Sequence, residues 1–245
     1  MSRWKITLEY DGGPFIGWQR QETGLSVQQV LEEAAEKLAG EAVLVQGAGR
    51  TDAGVHALGQ VAHMDIAKPR SAKDIRDGMN FHLKPHPVSV LAAHEVDDAF
   101  HARTSAIERQ YIFRILNRRS PPALDAGRVW YVPYALDAAA MHTAAQMLVG
   151  AHDFTSFRAA ECQARSPLKT LDELTVTRRG DEIEIFTRAR SFLHHQVRNM
   201  VGTLALVGSG KWTAKDVKSA LDARDRSAGG PTCPPDGLYL LKVLY

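Results

Sequence analysis

The order in which two hydrophobic periods alternate along the chain limits its fold more than any other feature. Lys5 to Tyr10 alternates polar and apolar, with Ile6, Leu8 and Tyr10 on one side, the pattern of a half-buried strand. Asp11-Gly12-Gly13-Pro14 reads as a turn, and Phe15 to Arg20 as a loop. Ser26 followed by Gln29 predicts a helix start with a capping box. Val27, Val30, Leu31, Ala34 and Leu38 continue as a stripe at helical spacing, and Gly40 ends it. Ala42 to Val45 and Val61 to Ile66 read as strands, Ser71 to Phe81 as a helix, and Val88 to Val96 as a strand. Strand, helix, strand, strand, helix, strand is the order of a split βαβ unit, whose two helices cover one face of a sheet.

A second pass through the chain is similar. Arg109 to Leu116 alternates, with Tyr111, Phe113 and Ile115 on one face. Asp137 caps an Ala- and Met-rich helix expected to run to Gly150. Leu171 to Arg178 and Glu182 to Arg188 predict a hairpin about Arg179-Gly180-Asp181. Ser191 is expected to open a long helix with Leu193, Val197, Met200, Val201 and Leu204 on its buried stripe. Ala214 to Leu221 predicts a shorter helix, and Leu238 to Leu244 a closing strand. The expected class is α+β, with two lobes joined near residue 100: residues 1-100 and residues 101-245.

The 245 residues suffice for one large domain or two smaller ones. No segment approaches the ~20 apolar residues of a membrane span, and no secretory signal precedes the first strand. Cys162 and Cys233 lie too far apart for a disulfide framework, which suits a reducing cytoplasm. The net charge of +2 does not by itself imply a nucleic-acid partner. Arg, however, outnumbers Lys by 20 to 10. It clusters at Arg103, Arg109, Arg114, Arg118 and Arg119, and again at Arg188, Arg190 and Arg198. Near-neutral charge with local Arg patches suits one basic cleft and an acidic back. An Arg-rich composition also arises from coding or temperature regime alone.

One loop concentrates the chemistry. Gly47-Ala48-Gly49-Arg50-Thr51-Asp52-Ala53-Gly54-Val55-His56-Ala57 has little side-chain bulk apart from Arg50, Asp52 and His56. Glycine permits close backbone approach, so the run is either a loop shaped around a ligand or a tight surface turn with an ordinary ion pair. A neighbouring Arg lowers the pKa of an Asp, which suits Asp52 as a nucleophile or stabiliser better than as a general acid. His56 is either a base or a hydrogen-bonding partner of the loop backbone. Tyr111, two residues after Arg109 on one strand face, is either a platform for a base or a packed core ring. Arg198 lies among apolar helix residues. It sits either at the solvent edge or buried with a partner, for which Asp52 is the attractive choice.

Several chemistries are poorly supported. The loop lacks the Gly-Lys-Ser/Thr of a triphosphate cradle and the glycine spacing of a dinucleotide fold. There is no paired-Cys or His-Glu-x-x-His zinc spacing and no nucleophile elbow. An RNA-binding module without chemistry and a base-removing hydrolase remain as rivals to a base-modifying enzyme.

These residues also carry a resemblance. Gly47 to Ala57 resembles the signature of the TruA family of tRNA pseudouridine synthases. Tyr10-Asp-Gly-x-x-Phe-x-Gly-Trp-Gln19 is similar to that family's opening segment, and Arg109-Gln-Tyr111 to its Lys/Arg-x-Tyr. His152-Asp-Phe-Thr-Ser-Phe157 and Pro234-Pro-Asp-Gly-Leu-Tyr-Leu240 resemble two further segments. Phe192-Leu-His-His-Gln-Val-Arg-Asn-Met-Val-Gly202 resembles its helix motif, with Gln196 where Met is more usual. The segments run in the family's order. The resemblance implies two lobes, each on a split βαβ-like unit, that share a largely antiparallel sheet with helices on one side and a basic central cleft. It implies a cytoplasmic homodimer that needs no cofactor and no metal. Its substrate would be uridine at positions 38, 39 and 40 of the tRNA anticodon stem-loop. Asp52 would be the catalytic aspartate and Tyr111 the stacking ring. Arg198 would pair with Asp52, and Arg50 would displace the base or hold the backbone. Leu238 would complete the apolar wall of the base pocket.

Overall fold

A computed structural model describes residues 1–245. The chain forms two compact units, Met1–Ile107 with Tyr239–Tyr245, and Glu108–Leu238. Each is α+β with a largely antiparallel sheet, and no helix is long and apolar enough to cross a membrane.

The first unit contains β1 (Ser2–Tyr10), α1 (Val27–Ala39), β2 (Gln46–Gly47), β3 (His56–Ile66), α2 (Ala72–His82) and β4 (Val88–Val96). Strand β10 (Leu238–Leu244) joins it from Tyr239 onward. The strands lie in the order β4-β1-β3-β10, with β2 on β3. β1 is antiparallel to both neighbours, while β10 runs parallel to β3, pairing Tyr239 with His56 and Leu240 with Ala57. The alternation in β1 has its expected consequence: Trp4, Ile6, Leu8 and Tyr10 are buried. Ser26 caps α1 by accepting the Gln29 N–H at 3.2 Å. The reciprocal half of the expected box does not form, because the Gln29 amide donates to Glu33 one turn on. Gly40 ends the helix in the left-handed region, at φ 76°. A full capping box instead opens α2, between Ser71 and Asp74. Leu38 of α1 lies over Gly78 of α2, where a β-carbon would come within 2.6 Å of it.

One expected strand is absent. Residues 42–45 are irregular, and the strand that follows is the two-residue β2. Side chains of α1 take the place of a ladder partner at Val45. Glu32 accepts its N–H at 3.3 Å, and Gln28 donates to its carbonyl at 3.2 Å. That use explains why Glu32 is buried on a helix face.

The second unit contains β5 (Glu108–Leu116), β6 (Trp130–Tyr131), α3 (Ala138–Ala145), β7 (Gly150–Asp153), β8 (Leu168–Arg179), β9 (Glu182–Ala189), α4 (Gln196–Gly208) and α5 (Ala214–Ala223). Its strands lie in the order β5-β9-β8-β7, with β6 on β5. The predicted hairpin is β8–β9: Arg179 pairs with Glu182 across Gly180, whose φ of 61° needs glycine's freedom. Helix α3 ends at Ala145, earlier than expected. A 3₁₀ turn over Gln146–Leu148 follows, and the chain enters β7 at Gly150. Helix α4 begins at Gln196, five residues later than expected. His195 has φ 61°, which breaks any helix running through it. Gln196 closes the preceding turn by accepting the Leu193 N–H at 2.8 Å.

Helix α4 is the core of this unit, with Met200, Val201 and Leu204 fully buried. Its Asn199 is buried too. The amide donates to the Phe157 carbonyl at 2.8 Å and accepts from Thr232 and Arg226 at 2.6 and 3.1 Å. Gly202 faces the Pro231–Cys233 segment so closely that a β-carbon would lie 1.8 Å from the Pro231 carbonyl oxygen. Gly202→Ala should therefore force the segment off the helix. Overpacking of this kind costs ~1–3 kcal/mol. The apparent Tm should fall by several degrees, while Gly127→Ala, where nothing lies within 4 Å, should cost less despite its φ of 75°. Equal melts would show that the contact relaxes freely.

Candidate active site

The Asp52 loop is held from below by main chain. It leaves β2, where Gln46 and Gly47 pair with His63 and Ala62, and Ala48 donates to the Val61 carbonyl at 2.7 Å. Buried Gln60 donates to the Gly49 carbonyl at 2.9 Å. Thr51 is buried, and its hydroxyl meets that of Tyr10 at 2.9 Å. Burial pushes the Tyr10 phenol up to about 12, so it stays neutral. The Thr51 carbonyl accepts the Trp18 N–H at 3.0 Å, and the Asp52 carbonyl accepts the Val55 N–H at 3.1 Å. Asp52 itself is half-buried, between buried Thr51 and exposed Ala53, and Arg50 is exposed.

Glycines explain how the Tyr10–Gln19 segment reaches this loop. A β-carbon on Gly12 would lie 2.1 Å from the Val55 carbonyl oxygen. One on Gly17, at φ 113°, would lie 2.8 Å from the Thr51 carbonyl oxygen. One on Gly47 would meet the Trp18 ring at 2.5 Å. His56 belongs to the same framework. Its Nδ1 accepts the Gly12 N–H at 3.0 Å, its ring stacks on Tyr239 at 4.7 Å, and it is 2% exposed. Of the two readings of His56, this is the loop-holding one.

The second unit carries the remaining expected residues. Tyr111 on β5 pairs with Thr187 of β9 and is half-buried. The Phe192 ring stands edge-on to it, at 5.1 Å between centroids and 84°. Two positions earlier on the same face, Arg109 is buried and donates to the Arg190 carbonyl at 2.6 Å. Arg198 lies in the first turn of α4, partly exposed. Its Nε donates to the Cys233 carbonyl at 2.9 Å, and its own carbonyl accepts the Cys233 N–H at 3.3 Å. The first bond orients the guanidinium, and the second ties the helix backbone to the same residue. Burial pushes the Cys233 thiol up, so it stays neutral beside that cation. Leu238 is buried at the start of β10.

Sequence reasoning missed the supports of each residue. Phe192 and Cys233 lie 81 and 35 residues from the side chains they hold, so no local pattern signals them. The glycines of the Tyr10–Gln19 segment were the available signal for the first unit.

Comparison with known proteins agrees with these motifs. A family profile described as tRNA pseudouridine synthase matches residues 6–105 and 144–245. The tRNA pseudouridine synthase A of Rhodospirillum rubrum is 62% identical over 245 residues, covering 100% of this chain and 88% of that protein. Those of Rhodospirillum centenum and Parvibaculum lavamentivorans are 62% and 59% identical, each covering 100% of both chains. With this identity along its whole length, the chain belongs to the tRNA pseudouridine synthase family.

Proposed function

We propose that this enzyme isomerises uridine to pseudouridine at positions 38, 39 and 40 of the tRNA anticodon stem-loop, with Asp52 as the catalytic carboxylate. The observation that carries this reading is the Asp52 loop, an acid on a main chain clamped by close glycine contacts, in a chain of this family. The reaction breaks the N1–C1′ bond of the nucleotide, turns the base and forms a C5–C1′ bond. The proton leaves C5 and N1 gains one, so atoms balance without a redox partner. An ionised carboxylate can begin it by attacking C1′, by adding to C6, or by removing the C2′ proton.

The other residues follow from that need. Arg198, its Nε held by the Cys233 carbonyl, would pair with Asp52. Tyr111 would stack on the target base, offsetting part of the few kcal/mol that unstacking costs. Arg50, exposed beside Asp52, would fill the space that the base leaves or hold the phosphate backbone. Leu238 would close the apolar wall that retains detached uracil. The enzyme would act as a cytoplasmic homodimer, one subunit gripping the tRNA body while the other modifies its arm.

Incubation with tRNA tritiated at uridine C5 tests the reaction. Release of tritium without free uracil is expected. Free uracil would indicate a hydrolase, and release of neither a binding protein. Pseudouridine should map to positions 38 to 40, and modification confined to the D or TΨC arm would overturn the site assignment.

Asp52→Asn should reduce turnover below about one-hundredth of wild type, with tRNA affinity kept within about tenfold because phosphate contacts dominate it. Turnover above that level would remove Asp52 from its role. Tyr111→Ala should lose ~1–3 kcal/mol of base contact, while Tyr111→Phe keeps the ring and the binding. Single-turnover rates of Tyr111→Phe then settle the hydroxyl. Near-normal rates make the ring a platform, and a large loss gives the oxygen a chemical part.

A further inference from the structure

A second feature of the Glu108–Leu238 unit lies away from Tyr111 and is built for a different task. Where β5 ends, a cavity of about 390 Å³ opens between Asn117, the 118–119 and 133–135 segments, and Arg178 of β8. Its floor is rigid. Buried Asn117 uses its whole side-chain capacity, two donors and two lone pairs. The amide donates to the carbonyls of Val132 and Tyr134 at 3.0 and 2.6 Å. Its oxygen accepts from the Leu136 N–H at 3.2 Å and from Arg178 at 2.6 Å. The same Arg178 nitrogen donates to the Leu136 carbonyl at 2.7 Å. The guanidinium is thereby fixed before any ligand arrives, which lowers the entropy lost on binding.

The walls are cationic and aromatic. Arg118 and Arg119 are exposed, and Tyr134 shows 52% of its surface. One carboxylate, that of Asp181, lies 3.6 Å from the Arg118 guanidinium. The Arg119 side chain has no acidic partner, while its main-chain carbonyl accepts the Tyr131 hydroxyl and so anchors the segment. Excess positive charge beside an exposed ring is the combination that holds a phosphate and stacks its neighbouring base.

We propose that this cavity is an RNA-backbone site, taking a phosphate of tRNA between Arg119 and Arg178 with an adjacent unpaired base against Tyr134. The proposal rests on the reading that the substrate is tRNA. Asn117 follows Tyr111 by six residues along β5 and its end. At ~3.3 Å per residue the site is roughly 20 Å from the Tyr111 ring. At ~3.4 Å per duplex step that distance spans about six nucleotides. The site therefore grips RNA beyond the modified nucleotide and acts on affinity for structured tRNA.

The test is the salt dependence of binding to a full-length tRNA transcript. Arg119→Glu should weaken binding roughly tenfold and lower the salt slope by about 1. Tyr134→Ala should weaken it by about fivefold or more. Lys215→Glu, the same charge change on exposed α5, should change binding by less than about twofold, since it touches no built site. Unchanged melts for Arg119→Glu and for the charge-removing Arg119→Gln exclude a folding defect, and Arg119→Gln should show a smaller loss of the same sign. Equal losses in Arg119→Glu and Lys215→Glu, or no loss in either, would overturn the proposal. Inorganic phosphate is the second probe. Phosphate-induced shifts at Tyr134, together with unchanged tRNA affinity in Arg119→Glu, would make this a small-anion site and overturn the RNA assignment. Tritium release by the wild-type enzyme separates the outcomes: its absence refutes the activity, whereas its presence with unaltered affinities refutes this site alone.

Discussion

The approach of two backbones at Gly12 and Gly17 is the constraint on which the Asp52 loop depends. Carbonyls of Val55 and Thr51 occupy the space where β-carbons would stand. The loop's height above the sheet is thus set by main-chain contact, reinforced by the Trp18 N–H on Thr51 and the Gly12 N–H on His56. Main chain cannot hop between rotamers. Asp has a short side chain, so little freedom remains between that frame and the carboxylate. A misplacement of about 1 Å can cost ~100-fold in rate, and a side-chain-only support would allow that error.

The second unit solves its positioning problem in the same way. Gly202 brings α4 against Pro231, and the Cys233 main chain then bonds Arg198 twice, at its Nε and its carbonyl. The left-handed His195 makes a further contribution. It stops the helix from extending back through Phe192, which stays in an irregular segment with its ring against Tyr111. A helix begun at Ser191 would carry Phe192 on a helical face instead. The residue that defeats the simplest helix expectation is thus the one that lets the aromatic pair form.

The legible parts of the fold were those whose energetics are local. Alternation marked β1 and β5, Ser26 and Gly40 bounded α1, and Gly180 marked the β8–β9 turn. Ala42 to Val45 has strand-like composition, but its backbone is satisfied by Glu32 and Gln28, and no local pattern reveals that choice. The end of α3 is similar, since Gln146 turns its amide to the Leu174 carbonyl of β8. In the site, the small residues around Asp52 announced close packing. What they packed against lay some forty residues earlier, beyond the reach of a periodicity argument.

The arginine count illustrates the same limit, because a guanidinium can serve structure as well as phosphate. Arg3 forks onto Asp65 at 2.8 Å from each nitrogen and also reaches the Phe100 carbonyl, which holds Asp65 below the usual carboxylate range. Arg114 grips Glu182, Arg188 joins Glu108 and Glu173, and Arg226 ties Asn199 to Thr232. Several members of the clusters read from sequence are therefore neutralised or aimed at carbonyls. Arg is favoured in these places because one planar fork satisfies two acceptors, which Lys cannot do. The charge that RNA meets is what remains after this internal use. A residue such as Arg119, ordinary in sequence and lacking an acid partner in the fold, then weighs more in recognition than the length of the run in which it occurs.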